Sequence, residues 1–356
     1  MDNIFVSIAS YRDDVCIDTI NSLYTNAKNP DNIFLGICQQ NNDAIDMDCL
    51  NNSNLIIDKK LINNIRIIRI PYYDAKGPVY ARYLCSSLID KNNEKYYLQI
   101  DSHSIFIKDW DDICISMINE IKSLGLSAKP VISYYPKDFV VINNKNEKDN
   151  YVPIIYDVEF NKNKQILSLK QAIYTDTNGS YIKTPYVTAG MFFCESYFLN
   201  ELPFDPTLDH LFTGEEILNS IKFYTNGWDV FAPKINIIFH EYLRTNKPKY
   251  WNEPSIIFND KKALDKVRYY LFNHDNDNDN NTKNPYYNNY KLGTKRSLKD
   301  YYKFANIDIN SYKHKRKHKK TWIAIAIIAI IVIIAIIIIA RLFYFELKSY
   351  LKLVLI

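Results

Sequence analysis

Glycine is scarce in this chain, eight residues in 356, while Asn, Ile, Lys and Tyr are heavily used. That bias reads as the mark of an AT-rich genome, so bulk composition is set aside as a guide to function. The six cysteines (Cys16, Cys38, Cys49, Cys85, Cys114 and Cys194) include no C-x-x-C pair and no regular spacing. They argue for buried thiols in a reducing compartment rather than a disulfide framework. A signal peptide is missing too: Met1-Asp2-Asn3 opens with an acid and runs straight into a strand-like segment, without a basic start or an apolar core. A domain that begins at the first residues and stays in the cytosol is the expectation. No repeat of about 20 to 50 residues is present.

A broad excess of positive charge is likewise absent. The formal net charge is +4, but residues 313–356 hold nine Lys and Arg against the single acid Glu346, which leaves 35 basic and 39 acidic residues over 1–312. A net charge of −4 there lacks the basic face that nucleic-acid binding needs, so nucleic acid is excluded as a partner.

What remains is a chain long enough for one large domain or two medium ones, with 47% hydrophobic content to fill a core. Near the C-terminus, Trp322 to Ala340 is an uninterrupted apolar run dominated by Ile, preceded by the basic cluster Lys313 to Lys320. This predicts a transmembrane helix over 321–341, a basic juxtamembrane run at 313–320 and a short tail at 342–356. The expected layout is a single-pass, tail-anchored membrane protein whose large domain faces the cytosol. Residues 274–290 are polar, repetitive and poor in aliphatics, and read as a flexible linker between a main domain at 1–273 and a segment at 291–312 that docks back on it. Residues 143–150 read as a second loop.

The main region alternates periodicities. Asn3 to Ser10, Asn32 to Cys38, Ile65 to Ile70 and Tyr96 to Ile100 are strand-like, and Asp14 to Asn26 and Pro78 to Asp90 are helix-like. This β-α-β-α-β order predicts a mostly parallel sheet with helices on both faces and ligands beyond the carboxyl ends of its strands. The fourth strand ends in Asp101-Ser102-His103. At a strand end the chain turns, so residues i and i+2 both reach the crevice, and a carboxylate plus an imidazole suit a divalent ion such as Mn2+. Such an ion neutralises a diphosphate leaving group, which a nucleotide-sugar donor requires. Thr188 to Phe193 is a small-residue turn entering a strand, Gly214 precedes the acidic pair Glu215-Glu216, and the β-branched run Ile235 to Phe239 ends in His240, a candidate third ligand.

These blocks together carry a family resemblance. They are Ile4 to Asp13, Gly77 to Arg82, Leu98 to His103, Ala189-Gly190, Leu202 to Glu216, His240 to Arg244 and Leu292 to Ser297. The chain resembles the eukaryotic polypeptide N-acetylglucosaminyltransferases, retaining enzymes that include a cytosolic branch modifying hydroxyproline. It is more distantly similar to the polypeptide N-acetylgalactosaminyltransferases. The resemblance implies an α/β fold of the GT-A (nucleotide-diphospho-sugar transferase) type, a Rossmann-like mixed sheet flanked by helices. It implies Asp101, His103 and His240 as metal ligands for Mn2+ or another divalent cation. Donor contacts would come from Ser7, Ala9, Tyr11, Arg12, Arg82, Gln99 and Gly190, with Glu215 and Glu216 as the acidic residues against the donor sugar. The function it implies is transfer of N-acetylglucosamine from UDP-GlcNAc to a hydroxyl of a protein or peptide acceptor. The luminal members carry an N-terminal anchor, whereas the apolar run here is C-terminal. Two other readings of the same residues stay open: a metal-dependent nucleotide-sugar hydrolase, and an inactive membrane-tethered protein that binds sugar nucleotides.

Overall fold

The computed structural model describes residues 2–51, 53–142, 150–272, 290–312, 330–338 and 341. Residues 1–307 form one compact unit and 308–356 a second.

The first unit is built on an eight-stranded mixed sheet. Its strands are β1 (Ile4–Tyr11), β2 (Ile33–Asn41), β3 (Ile65–Pro71), β4 (Tyr96–Asp101), β6 (Pro130–Ser133), β12 (Ile182–Thr184), β13 (Met191–Glu195) and β14 (Asp229–Ala232). Their spatial order is β12-β14-β6-β13-β4-β1-β2-β3. β1 pairs in parallel with both β2 and β4, so the chain winds outward on either side of it. Between β1 and β4 the strand order reverses, and the carboxyl ends of that pair form the crevice in which open α/β sheets bind ligands. β13 runs antiparallel between β4 and β6, which makes the sheet mixed. A small three-stranded sheet, β5 (Ser104–Phe106), β15 (Ile238–His240) and β7 (Lys137–Asp138), stands beside the crevice. Two hairpins complete the strands, β8 (Tyr151–Ile154) with β11 (Ile173–Asp176) and β9 (Val158–Asn161) with β10 (Ile166–Leu169).

The two-residue period of the strands sorts side chains to opposite faces. Ile4, Val6 and Ile8 of β1, Tyr96, Leu98 and Ile100 of β4, and Met191 and Phe193 of β13 enter one core cluster together with α1 (Cys16–Thr25) and α3 (Trp110–Ser123). Phe5, Tyr97, Phe192 and Cys194 enter the opposite cluster, where Phe198, Phe223 and Trp228 pack ring against ring. Ser7, Ala9, Tyr11, Gln99 and Asp101 share that second parity. Helix α2 (Pro78–Ser86) lies on that side of β1 and β2, beginning after Gly77, whose φ of +88° only glycine adopts cheaply, with Pro78 at its first turn. α5 (Glu215–Thr225) starts in the same way, after Gly214 at φ +108°, where an added Cβ would lie 2.7 Å from the Ile166 side chain. The short α4 (Phe198–Glu201) precedes α5 and α6 (Lys261–Phe272) follows it; towards the end of the unit, Gly293 N donates to Thr225 Oγ1 at 3.0 Å, and α7 (Leu298–Phe304) buries Leu298, Tyr301 and Tyr302. All six cysteines are free and buried.

The expected membrane span requires correction. Among the described residues no helix is long and apolar enough to cross a membrane. Helical residues described within 321–341 are 330–338 and 341. The transmembrane part of the expected fold is therefore withdrawn, and with it the membrane partner and the tail-anchored, single-pass localisation. Residues 321–329, 339 and 340 of that expectation, the basic run at 313–320, the tail at 342–356, the loop at 143–149 and linker positions 274–289 lie outside the described residues.

Candidate active site

The crevice between β1 and β4 opens into a cavity of about 550 Å³, lined among others by Ala9, Tyr11, Arg82, Asp101, His103, Gly190, Glu215, Glu216 and His240. Three elements set its floor. Asp101 is the last residue of β4, in register with Ala9 of β1. His103 follows in the two-residue turn to β5. Because β15 runs antiparallel to β5 with His240 opposite Ser104, and Glu241 N donates to the His103 carbonyl at 3.1 Å, the two imidazoles are held side by side. Their ring centroids are 4.5 Å apart.

Asp101, His103 and His240 each offer one ligand atom, and these atoms all lie within 4.8 Å of one another. His240 Nε2 meets Asp101 Oδ2 at 3.1 Å, while His240 Nδ1 is buried without a hydrogen-bond partner among the described residues. Two imidazoles and a carboxylate are the donor set of a first-row divalent ion, so these residues fit one. Burial would raise the Asp101 carboxyl, but the His240 hydrogen bond and the Arg82 charge outweigh it and hold it well below the usual carboxylate range. Gly190 leaves room at this point, since a Cβ there would lie 3.4 Å from Asp101 Oδ2.

Behind the carboxylate stands a buried ion-pair chain. Arg82, only 4% exposed, donates from Nη1 to Glu215 Oε1 at 2.6 Å and from Nη2 to Asp101 Oδ1 at 2.9 Å. Burial lowers its pKa, yet the Glu215 and Asp101 charges more than restore it, so it stays a cation. Its Nε has no hydrogen-bond partner among the described residues. Burial pushes Glu215 up, with Arg82 opposing. Glu216 accepts from Tyr135 Oη at 2.8 Å and from Ala189 N at 3.0 Å. Burial raises it to about 6 despite those two donors.

Three of the residues anticipated from sequence are not among those lining the cavity. Ser7 is wholly buried in mid-strand. Gln99 donates from Nε2 to Ala189 O at 2.7 Å and so supports the turn before Gly190. Arg12, at φ +47°, engages Asp46 at 2.8 Å and Glu253 at 3.0 Å. Other residues that sequence reasoning passed over do take part. Asp13 contacts His103 Nδ1 at 2.7 Å and pairs with Arg244 at 3.2 Å. Burial would raise its carboxyl, but His103, Arg244 and Ser102 bring it below its ordinary value. Tyr135, Tyr242 and the half-exposed pair Phe212 and Trp251, with ring centroids 4.6 Å apart, line the wall. Asp13 and Arg244 were within reach of sequence, since each closes a quoted motif block. Tyr135 carried no such signal.

A sequence profile of the family described as Glycosyltransferase (GlcNAc) matches residues 3–62 and 57–311. No curated protein matches the chain. Among solved structures, GalNAc-T7 with UDP, GalNAc and Mn2+ superposes with a TM-score of 0.53 at 14% identity, covering 86% of this chain and 55% of that one. TarS 1-349 from S. aureus in complex with UDP-GlcNAc gives a TM-score of 0.41 at 14% identity, covering 69% of this chain and 60% of that one. The chain thus spans little more than half the length of GalNAc-T7. At that identity the likeness is one of fold.

Proposed function

Given that this chain belongs to the GlcNAc glycosyltransferase family, we propose that it is a metal-assisted, retaining transferase of the GT-A type. It would move N-acetylglucosamine from UDP-GlcNAc to a hydroxyl of a protein or peptide. The observation that carries this reading is the convergence of Asp101, His103 and His240, from two strand ends and a turn, within 4.8 Å at the mouth of the sheet. A divalent ion such as Mn2+ held there would offset the charge of a departing diphosphate.

The chain's own residues orient the rest. Arg82 holds Asp101 and Glu215 in place, and its Nε, without a partner among the described residues, is a buried donor for which a donor phosphate would supply the acceptor. Glu215 and Glu216, at the start of α5, face the space for the donor sugar. Tyr11, whose hydroxyl is buried without a partner, borders the same cavity on the β1 side, where the nucleoside would lie. The acceptor hydroxyl attacks the anomeric carbon from the face that the diphosphate leaves. Its oxygen forms the new glycosidic bond, the bond to the phosphate oxygen breaks, and the hydroxyl proton passes to that phosphate. Positioning and fixed charge then supply most of the rate. The half-exposed rings of Phe212 and Trp251 on the wall offer an apolar face against which an acceptor can pack.

The test is incubation of the full chain with a panel of UDP-sugars and Mn2+, with and without peptide acceptors, reading UDP release and glycosylated peptide. UDP-GlcNAc with an acceptor is expected to turn over, and Asp101→Ala to lower that turnover by roughly a hundredfold or more. Turnover unchanged in Asp101→Ala would refute the metal assignment. Free sugar as the main product in the presence of acceptor would identify a hydrolase instead.

A further inference from the structure

We propose that Asp13 is a positioning residue that fixes His103 as its Nδ1–H tautomer and so presents His103 Nε2 to a divalent cation. This rests on the metal-site reading above and deepens it. Asp13 follows β1, its side chain is fully buried, and both of its oxygens are engaged. Oδ2 accepts from Ser102 Oγ at 2.6 Å and meets His103 Nδ1 at 2.7 Å. Oδ1 accepts from Val15 N at 3.3 Å and pairs with Arg244 Nη2 at 3.2 Å.

An ionised carboxylate only accepts hydrogen bonds, so the proton in the 2.7 Å contact belongs to His103 Nδ1. Neutral imidazole has one proton and one lone pair, and the lone pair is thereby placed on Nε2. Free histidine in water prefers the opposite tautomer, so the buried carboxylate selects the form that binds a cation at Nε2. Asp13 also ties down the two segments that carry the imidazoles. Ser102 and His103 belong to the turn after β4, and Arg244 follows β15, the strand that ends in His240. Metal-bound histidines generally depend on such a partner, whose loss costs about 10- to 100-fold in metal affinity.

The experiment uses the full chain and two readouts that do not involve turnover. Mn2+ binding is titrated by the electron paramagnetic resonance of the free ion, and the His103 tautomer is read at pH 8, without metal, from imidazole 15N shifts assigned with His103→Gln. Asp13→Asn is expected to raise the Mn2+ dissociation constant about 10- to 100-fold and to move His103 toward the Nε2–H form. Arg244→Met removes the ion pair but leaves the His103 contact, and is expected to keep the wild-type tautomer. Asp101→Ala separates the two levels of the argument, because undiminished Mn2+ binding there overturns the metal site itself. With binding lost in Asp101→Ala, an Asp13→Asn protein within twofold of the wild-type dissociation constant overturns the role of Asp13 alone. A wild-type His103 protonated on Nε2 does the same, and that measurement decides the matter even if Asp13→Asn does not fold.

Discussion

Replacing Arg82 with Met tests whether the charge chain behind the cavity acts as a unit. The guanidinium is buried between Glu215, itself 4% exposed, and Asp101. Met fills similar volume, so the perturbation is chiefly the loss of charge and of the hydrogen bonds donated to Glu215 and Asp101. Asp101 keeps its contact with His240, but among the described residues Glu215 forms an ion pair with Arg82 alone. Breaking a buried ion pair from one side costs about 3–5 kcal/mol, because the remaining charge stays desolvated. With a urea m-value near the upper part of the usual ~1–3 kcal/mol/M range, the unfolding midpoint falls by roughly 1–2 M. The loss also has a pH signature. Glu215 is already raised by burial, and without Arg82 its folded pKa rises further above its unfolded value. The Glu215 part of the penalty is therefore absent at low pH, where both states hold the proton, and grows as pH rises through the unfolded and then the folded pKa. Urea melts followed by tryptophan fluorescence should place Arg82→Met nearest wild type at pH 4 and furthest below it at pH 8. The double variant Arg82→Met/Glu215→Gln, which removes the stranded charge, should recover about 2 kcal/mol or more of that gap. Equal losses at pH 4 and 8, or strict additivity of the two single changes, would refute the coupling.

Other consequences follow from the same geometry. Glu216 is raised to about 6 by burial. It therefore costs stability as pH rises from its unfolded value toward 6, and Glu216→Gln should gain on wild type by about 2 kcal/mol between pH 4 and pH 7 in matched urea melts. Gly214→Ala combines a backbone at φ +108° with a Cβ 2.7 Å from Ile166. It should destabilise by roughly 2–4 kcal/mol, measured by thermal melting, and a loss below about 0.5 kcal/mol would contradict the strained start of α5. The six buried thiols should resist an aromatic disulfide reagent in the native protein and all react after unfolding in guanidinium. Rapid native labelling of any one would show that its surroundings open locally.

Much of the sheet was legible in the residues. β1, β2, β3 and β4 fall within a few residues of the apolar runs that announced them, because hydrophobic periodicity is a local property, present both in the buried strands β1, β2 and β4 and in the edge strand β3. Helix α2 was announced by Gly77-Pro78 for the same kind of reason. The C-terminal apolar run shows the limit of that logic. Composition there answered to a membrane span, but among the described residues no helix is long and apolar enough to cross a membrane.

Strand ends were readable as the place where polar side chains collect, which is why Asp101, His103 and His240 stood out in the sequence. Their meeting depends on β15 pairing with β5, a contact spanning more than a hundred residues that no local pattern encodes. Strand parity put Ser7 and Gln99 on the correct side of the sheet yet behind the cavity wall. Likewise, the resemblance named Arg82 as a donor contact, and only the folded chain sets it between Asp101 and Glu215. Sequence by itself determined which segments become strands and helices and which residue types gather at their ends, since backbone preference and apolar spacing act over a few residues. Tertiary structure alone decided which charges neutralise one another and which face the cavity. Those choices are made by burial and by contacts between residues such as Arg82 and Glu215, 133 positions apart, where the lower dielectric makes each pairing strong.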